Sequence, residues 1–376
     1  MIPPGSTLGL LGGGQLGRMF AGEAARLGYR VLVVDPDPHA PAAQLASEHL
    51  ARPWTDPAVI EELSQRAAAV TTEFENVPAD VLRALAAHLP VRPGADAVAP
   101  CQDRIAEKEF LRDAGIATAA WAAVRSAADL VGAWQVVGAQ PAILKTSRLG
   151  YDGKGQVAVG SADELGAAFD TLGGVTTILE QRVQLAVELS VMVARGADGA
   201  VATWPVGENV HRDGILHTTV VPARIDAALA HAARATAVRV AEALDYVGVL
   251  GVECFVTTEG QLLVNEMAPR PHNSGHWTLD ASVTSQFEQQ VRAMAGLPLG
   301  DTQAVSAAAM VNILGDCWAN GEPAFERALA MPGVRLHLYG KREARPGRKM
   351  GHLTALADSS GAALGLALAA WRSLPR

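Results

Sequence analysis

Two glutamates on neighbouring apolar segments have the spacing needed to hold a divalent cation. Glu253 and Glu266 each lie in a run typical of a β-strand, and a two-residue turn at Glu259-Gly260 would place them directly opposite each other. Opposed carboxylates on a poorly solvated sheet repel one another, so either one is protonated or a cation lies between them. Oxygen ligands with room for phosphate suit Mg²⁺, and Asn265 is a further candidate ligand. The alternative is another register, with Glu253 solvated at a strand edge.

The segment after Glu266 combines side chains suited to anion chemistry. Arg270 can hold a carboxylate or carboxyphosphate through two N–H donors. His272 or His276 can move a proton near neutral pH, and Asn273 lies between them. A zinc site is disfavoured because the two histidines do not lie on a predicted helix.

A glycine-rich segment supplies candidate phosphate-binding groups. Gly150, Gly153 and Gly155 fall within six residues and follow Lys145, which lies near the end of the predicted strand Ala142–Thr146. Such a segment offers free main-chain N–H groups that can close over phosphates, with the lysine as a point charge. A plain hairpin turn is the alternative. The Walker sequence G-x-x-x-x-G-K-[ST] is absent.

Three further charged residues are candidates for nucleotide contacts. Arg104 lies in the first turn of a helix capped by Asp103, where a cation is unfavourable unless an anion compensates. A nucleotide phosphate would compensate the charge of Arg104 more fully than the nearby Glu107. Glu180 and Glu188 can accept hydrogen bonds from an adenine amino group or ribose hydroxyls, although each alone is more often a surface carboxylate.

The N-terminal glycines match a dinucleotide-binding pattern. Gly12, Gly14 and Gly17 follow a strand and open a helix, and Asp35 ends the next strand. Such a loop can receive any phosphate-bearing ligand at its N–H groups, so it does not by itself establish an NAD enzyme. Gln15 at the loop tip is either a ligand contact or a solvated side chain.

Two other groups are candidates for substrate contacts. Glu73 and Asn76 follow a strand, where ligands bind in open α/β sheets, although helix capping would also explain them. The segment 341–349 has five cations in nine residues of an acidic chain. It is either a solvated basic turn or a phosphate subsite.

The elements that would position these groups fall into three parts. Residues 1–100 alternate short strands with helices, which predicts a Rossmann-like, doubly wound parallel sheet that binds substrate. The predicted strands are Thr7–Leu11, Arg30–Val34 and Ala69–Glu73, and the predicted helices are Leu16–Leu27 and Asp80–His88. Residues 101–300 contain strands and turns with the glycine-rich flap, and residues 301–376 form a small β-rich C-terminal domain. The predicted fold class is α/β, with an α+β centre.

Composition excludes several classes of protein. The chain has 376 residues and a net charge of −8, which argues against nucleic-acid or anionic-membrane binding. No run reaches the length of a membrane span. The three separated cysteines offer neither a disulfide framework nor a zinc motif and favour a reducing cytoplasm.

Taken together, the motifs resemble those of a known family. GGGQLGRM, EFENVP, QDRxxEK, GYDGKGQ, VECF with NEMAPRPHNSGHWT, and GRKMGH are similar to N5-carboxyaminoimidazole ribonucleotide synthetases across nearly the whole chain. These are ATP-grasp enzymes of purine biosynthesis. The resemblance implies ATP- and bicarbonate-dependent carboxylation of 5-aminoimidazole ribonucleotide through carboxyphosphate, with two Mg²⁺ ions and a homodimer.

The resemblance also implies roles for individual residues. Arg270, His272 and Asn273 would be catalytic, and Glu253 and Glu266 would hold the metal. The implied ATP-binding residues are Arg104, Lys145, Gly150, Tyr151, Asp152, Gly153, Lys154, Gly155, Gln156, Glu180, Gln181, Arg182, Val183, Glu188, His211, Asn265 and Glu266. The implied residues around the aminoimidazole nucleotide are Gln15, Leu16, Glu73, Asn76, Tyr151, Asp152, Arg270, His272, Lys341, Arg348 and Lys349.

Three other functions use some of the same features. A formate-dependent ATP-grasp glycinamide ribonucleotide transformylase needs the same ATP-binding groups, but the basic cluster and PRPHNSGHWT favour the carboxylase. An NAD-dependent dehydrogenase would use only the N-terminal glycines. A nucleotide-sensing module without turnover is disfavoured because the acidic pair and the Arg/His segment are both present.

Overall fold

The N-terminal part is a parallel sheet between two helical layers. The computed structural model describes residues 1–150 and 154–374. This part contains β1 (Thr7–Leu11), α1 (Gln15–Arg26), β2 (Arg30–Val34), β3 (Glu48–Leu50), α2 (Pro57–Arg66), β4 (Ala69–Thr72), α3 (Ala79–Ala86) and α4 (Ala95–Val98). The strands are parallel in the order β3-β2-β1-β4, which confirms the predicted doubly wound sheet. Alternate apolar residues of β1 and β2 pack against α1 on one face and against α2 and α3 on the other.

The next part is a small antiparallel sheet that holds the glycine-rich segment. It contains α5 (Arg104–Asp113), β5 (Trp121–Val124), α6 (Leu130–Val136), β6 (Ala142–Thr146), β7 (Gln156–Val159), α7 (Leu165–Thr171) and β8 (Thr177–Gln181). The strand order is β5-β8-β6-β7, and α6 and α7 pack on it through apolar residues. The Asp103 side chain accepts a hydrogen bond from the Ile105 N–H at 3.0 Å, so the predicted cap of α5 is confirmed.

The largest sheet extends to the end of the chain. Its first elements are β9 (Leu185–Arg195), β10 (Val201–Thr203), β11 (Gly207–Arg212), β12 (Ile215–Val221), α8 (Ala227–Ala243), β13 (Gly248–Thr257), β14 (Leu262–Ala268), α9 (Thr278–Ala281) and α10 (Gln286–Ala295). The last are β15 (Ala307–Leu314), α11 (Phe325–Leu329), β16 (Val334–Leu338), β17 (Lys349–Ala357) and α12 (Ser360–Arg372). The order is β14-β13-β9-β11-β12-β15-β17-β16, so the C-terminal strands continue the sheet that carries Glu253 and Glu266.

Helix α10 joins the N-terminal sheet to the large sheet. Phe287, Val291 and Met294 pack in the same apolar cluster as β1 and β2. The Gln290 amide donates to the Thr71 hydroxyl at 2.9 Å and accepts from the Val249 N–H at 2.6 Å. A buried amide satisfied from both sides fixes the distance between β4 and β13, and therefore between the two halves of the site.

Two further features of the described residues concern the environment of the chain. Cys101, Cys254 and Cys317 are free thiols. Among residues 1–150 and 154–374, no helix combines the length and the apolar character that crossing a bilayer requires.

Candidate functional site

One large cavity brings nearly all of the predicted site residues together. It has a volume of about 1590 Å³, and residues from all three parts of the chain line it. Of the residues to which the resemblance assigns roles, only Gly155 among the described ones is absent from its lining. Gly155 instead lies against β6, where a Cβ would come within 2.7 Å of the Thr146 hydroxyl oxygen. Tyr151, Asp152 and Gly153 lie outside the described residues.

Glu253 and Glu266 are paired directly across β13 and β14, as predicted. The predicted two-residue turn, however, is wrong. The Thr257 N–H donates to the Gln261 carbonyl at 2.9 Å, which leaves three residues in the loop, and Phe255 pairs with Leu263. With a three-residue loop and an otherwise regular ladder, Asn265 would lie opposite Glu253. A β-bulge between Glu253 and Cys254 restores the pairing of the two acids, so Asn265 and Glu266 both line the cavity.

The acidic pair is electrostatically unfavourable without a cation. Glu253 is only 8% exposed. Burial, and after it the charge of Glu266, raises the pKa of Glu253 to about 8. The Arg104 guanidinium lies 3.4 Å from Glu266 Oε2, and His272 Nδ1 lies 3.7 Å from Glu253 Oε1. The first of these contacts places a positive charge beside the pair but not between its members.

Lys108 is a buried residue of the site that sequence reasoning missed. It is 1% exposed, and its Nζ lies 3.7 Å from Glu180 Oε2 and donates to the Asn265 carbonyl at 2.7 Å. Lys145 Nζ contacts the same Glu180 oxygen at 3.1 Å. Burial opposes ionisation of Glu180, but the two lysines outweigh it and lower the pKa to about 2. Glu180 Oε1 has no partner among the described residues.

Glu107, also missed as a site residue, makes stability depend on pH. It is buried, and its Oε1 accepts from the Met267 main-chain N–H at 2.5 Å. Burial raises its pKa from 4.5 to about 7. A carboxyl with a raised folded-state pKa binds its proton more tightly in the folded state. The folded state therefore loses stability as pH rises from 4.5 through about 7.

We expect Glu107→Gln to raise the free energy of unfolding at pH 8 by about 1–3 kcal/mol and to change it less at pH 5. Glutamine keeps the acceptor for the Met267 N–H and stays uncharged. Urea unfolding of chelator-treated protein from pH 5 to pH 8 measures the effect. Glu109→Gln on the same helix, outside the cavity lining, is the control. If the stability difference between the variant and the wild type did not grow with pH, ionisation of Glu107 would not be its cause.

Arg270, in the segment after β14, is held by a carboxylate that was not predicted from the sequence as a site residue. Arg270 Nε donates to Glu75 Oε2 in a partly buried ion pair. Burial disfavours the charged form of Glu75, but Arg270 outweighs it and lowers the pKa of this carboxyl. The only sequence signal for Glu75 was its place two residues after Glu73 at the end of a strand. The pair joins the N-terminal part to the segment that carries His272.

His272 and His276 have different surroundings. His272 lines the cavity, and its Nδ1 lies 2.9 Å from the Ser274 hydroxyl. Burial, and then the charge of Arg270, lowers its pKa well below the usual value, so it is uncharged at neutral pH. His276 is fully buried and does not line the cavity. Its ring lies 5.1 Å from that of His352. The expectation that His276 is an alternative proton-transfer residue is therefore wrong.

Asn273 lies at the wall of the cavity with an unsatisfied amide. It is 7% exposed and belongs to the lining. Both Oδ1 and Nδ2 lack hydrogen-bond partners among the described residues. Buried amides are normally bonded, so this one is available to a ligand that both donates and accepts.

The N-terminal glycine loop is occupied by carboxylates of the chain itself. Gly14 and Gly17 donate to Glu73 Oε1 and Oε2 at 2.5 and 2.8 Å, and Gly13 donates to Asp35 Oδ2 at 2.7 Å. These are the N–H groups that a dinucleotide pyrophosphate would need. The arrangement argues against a dehydrogenase. It also engages both oxygens of Glu73 in holding the loop, although Glu73 lines the cavity.

The basic segment 341–349 meets the tip of the glycine loop. Lys341 Nζ donates to Gln15 Oε1 at 2.7 Å and to the Lys349 carbonyl at 2.6 Å. Arg348 and Lys349 line the same end of the cavity. Gln15 is therefore not a solvated loop side chain, and the basic segment is not an isolated surface turn.

Family models match most of the chain. The ribonucleotide synthetase preATP-grasp domain matches residues 6–102, and the ATP-grasp domain matches residues 109–287. The phosphoribosylaminoimidazole carboxylase C-terminal domain matches residues 308–365.

Relatives and solved structures match over nearly full length. N5-carboxyaminoimidazole ribonucleotide synthase of Brucella melitensis is 48% identical, over 94% of this chain and 97% of the relative. The Bacillus subtilis enzyme is 42% identical, over 94% and 92%. An N5-carboxyaminoimidazole ribonucleotide synthetase in complex with ADP superposes with a TM-score of 0.93 at 40% identity, covering 98% and 97% of the two chains. The Aspergillus clavatus enzyme in complex with ADP and 5-aminoimidazole ribonucleotide gives 0.90 at 31% identity, covering 98% of each chain.

Proposed function

Because the chain belongs to the N5-carboxyaminoimidazole ribonucleotide synthetase family, we propose that its cavity is where ATP, bicarbonate and 5-aminoimidazole ribonucleotide react through carboxyphosphate. The enzyme is an ATP-dependent ligase of purine biosynthesis that carboxylates this nucleotide. This proposal is supported mainly by one observation: the same cavity is lined by the acidic pair, by Arg270 and His272, and by the basic segment.

The proposed reaction has two steps. A bicarbonate oxygen attacks the γ-phosphorus of ATP, and ADP leaves. The exocyclic amine of the nucleotide then attacks the carbonyl carbon of carboxyphosphate, orthophosphate leaves, and the amine loses a proton. The orthophosphate therefore carries one oxygen that entered as bicarbonate.

The nucleotide end of the cavity has complementary groups for ATP. Lys145 provides a positive charge for phosphates, beside the flap residues Lys154 and Gln156. The unpartnered Glu180 Oε1 can accept from the adenine amino group. Glu188 is bonded to His211 Nδ1, and this pair lies where ribose hydroxyls can reach it.

The acidic pair fits magnesium. Glu253 and Glu266 present hard oxygen ligands in a poorly solvated place, and their mutual repulsion is relieved by a cation. We propose that they hold two Mg²⁺ ions, with Asn265 beside them. Ions held there would offset the negative charge that develops during phosphoryl transfer.

The middle of the cavity suits the bicarbonate-derived group. Arg270 is oriented by Glu75, and its remaining N–H groups can bind a carboxylate oxygen. The Asn273 amide has both a free donor and a free acceptor. His272 is uncharged and therefore able to accept a proton, which Arg270 is not.

The far end of the cavity suits the phosphate of the aminoimidazole nucleotide, and Arg348→Ala tests this. We expect the variant to raise the KM for that nucleotide about tenfold or more and to change the KM for ATP by less than about threefold, because a charge-assisted contact contributes about 1.5–3 kcal/mol. Steady-state ADP formation gives both constants. Arg335→Ala on β16, outside the cavity lining, is the control. Equal changes in the two constants would contradict the assignment.

Transfer of isotopic oxygen tests the proposed reaction directly. With ¹⁸O-labelled bicarbonate and unlabelled water, we expect one labelled oxygen in each orthophosphate. Omitting each substrate in turn shows whether ADP formation needs all three, and replacing bicarbonate with formate tests the transformylase alternative. Unlabelled orthophosphate, or turnover with formate, would exclude the carboxyphosphate route.

We also propose that the enzyme is a cytoplasmic homodimer. The free thiols of Cys101, Cys254 and Cys317 are compatible with a reducing compartment. The homodimer rests on the family resemblance alone. Light scattering of the purified full chain gives the mass, and a monomer at micromolar concentration would exclude the dimer.

A further inference from the structure

We propose that Gly315 is a positioning residue for the basic segment. It follows directly after β15, and its missing side chain allows the main chain of segment 341–348 to lie directly against it. That contact sets where Arg348 and Lys349 present their charges. The inference rests on the proposed role of these cations in binding the nucleotide substrate.

The contact at Gly315 is one that only glycine permits. A Cβ on Gly315 would lie 2.1 Å from the Arg345 carbonyl oxygen and 2.6 Å from its carbonyl carbon. Both are main-chain atoms, which cannot turn aside as a flexible side chain can. The φ angle of Gly315 is not among the positive values, so close approach and not backbone conformation requires glycine here.

Two further contacts hold the segment in the same place. The Gly315 N–H donates to the Arg348 carbonyl at 2.8 Å. Asp316, the next residue, accepts from the Gly347 N–H through Oδ2 at 2.8 Å.

The segment depends on these contacts because it has little structure of its own. Residues 341–348 form no helix or strand, and β17 begins only at Lys349. At that point the pairing with β15 shifts register, from Ile313–Gly351 to Leu314–Lys349. The bulged start of β17 brings Lys349 to the cavity, while the Gly315 contacts fix the residues before it.

A displaced main chain would affect one substrate more than the other. Arg348 and Lys349 lie on the segment itself, whereas Lys145 and Glu180 lie on the small antiparallel sheet. Charge-assisted contacts are sensitive to displacements of about 1 Å. A change at Gly315 should therefore weaken binding of the aminoimidazole nucleotide and spare ATP.

The test uses Gly315→Ala in the full-length enzyme, with Gly361→Ala as a matched control. A Cβ on Gly361, in α12, meets nothing within 4 Å. We expect Gly315→Ala to raise the KM for 5-aminoimidazole ribonucleotide about tenfold, with the KM for ATP changed by less than about threefold. Gly361→Ala should leave both constants unchanged. Equal rises in both constants, or an unchanged nucleotide KM in a folded protein, would overturn the proposal.

Asp316 gives a second pair of variants in case Gly315→Ala does not fold. Asp316→Ala removes the acceptor for the Gly347 N–H, whereas Asp316→Asn retains an acceptor oxygen. We expect a raised nucleotide KM for the alanine variant and near-normal values for asparagine; equal behaviour of the two would contradict positioning through this bond. Arg348→Ala distinguishes failure of the proposed nucleotide site from failure of positioning by Gly315. If it leaves the nucleotide KM unchanged, the proposed substrate site itself fails. If only the Gly315 and Asp316 variants lack an effect, positioning alone fails.

Discussion

Glu266→Gln is expected to abolish ADP formation while leaving the protein folded. The substitution removes one of the two carboxylates proposed to hold Mg²⁺, and a cation at this place contributes several kcal/mol to phosphoryl transfer, or about 100-fold or more in kcat. Stability without metal should change little, because the relief of repulsion between the opposed carboxylates offsets the loss of the Arg104 ion pair.

The measurement is ADP release at saturating substrates, together with thermal unfolding with and without Mg²⁺. Glu242→Gln, an exposed glutamate on α8 outside the cavity lining, is the control and should match the wild type. In the wild type, Mg²⁺ should raise the unfolding temperature, and this rise should be smaller in Glu266→Gln. Wild-type turnover by the variant would remove the metal role.

Arg270→Gln is expected to lower both activity and stability. Loss of a donor to a reacting oxyanion typically costs about 100- to 1000-fold in kcat. The change also leaves the Glu75 carboxylate without its partner in a partly buried place, which should cost about 1–3 kcal/mol of unfolding free energy. Bicarbonate-dependent ADP formation and urea unfolding measure the two effects.

Two companion variants separate the effects of Arg270→Gln. Arg292→Gln breaks an ion pair outside the cavity lining, in which Arg292 Nη2 lies 2.7 Å from Glu288 Oε1, while Glu288 keeps its contact with Arg26. It should lose stability and keep its activity. Adding Glu75→Gln to Arg270→Gln should restore stability without restoring turnover. If the double variant regained activity, Arg270 would act only as a counter-ion.

The sequence predicted the elements whose patterns are local. The βαβ rhythm of the first hundred residues gave β1, β2 and β4 with errors of one residue at most. Asp103 was identified as a cap because capping depends only on neighbouring residues. Strand β3 and helix α2 were missed. β3 is three residues long, and its residues are only partly buried, so no apolar alternation marks it.

Site residues on a single motif were predictable, but those that act across the fold were not. Glu107 and Lys108 end the motif QDRxxEK, but nothing local shows that both are buried. Their burial follows from the packing of α5 against β14, where Lys108 donates to the Asn265 carbonyl. Likewise, Glu75 is recognisable only when Arg270 is placed beside it, 195 residues away in the chain.

The N-terminal glycine motif was predicted to bind a ligand phosphate, but its N–H groups bind the Glu73 carboxylate. The glycine pattern indicates main-chain N–H groups that need an acceptor, but it does not say whether the acceptor is a ligand or the protein. Here Glu73 and Asp35 fill that role. The electrostatic preference of the loop is the same in both cases, and only the tertiary structure distinguishes them.

The three-residue turn and the bulge in the β13–β14 hairpin have a consequence for how this hairpin can evolve. The ladder is regular from Thr257–Gln261 to Cys254–Val264, and the bulge lets Glu266 take the next place opposite Glu253 with Asn265 as the extra residue. Deleting Asn265 would remove the bulge and leave the two acids paired. Deleting one loop residue would leave the Thr257–Gln261 pair and the register beyond it unchanged. Homologous sequences should therefore show insertions and deletions at these two places independently of each other, a tolerance in length and not in residue type.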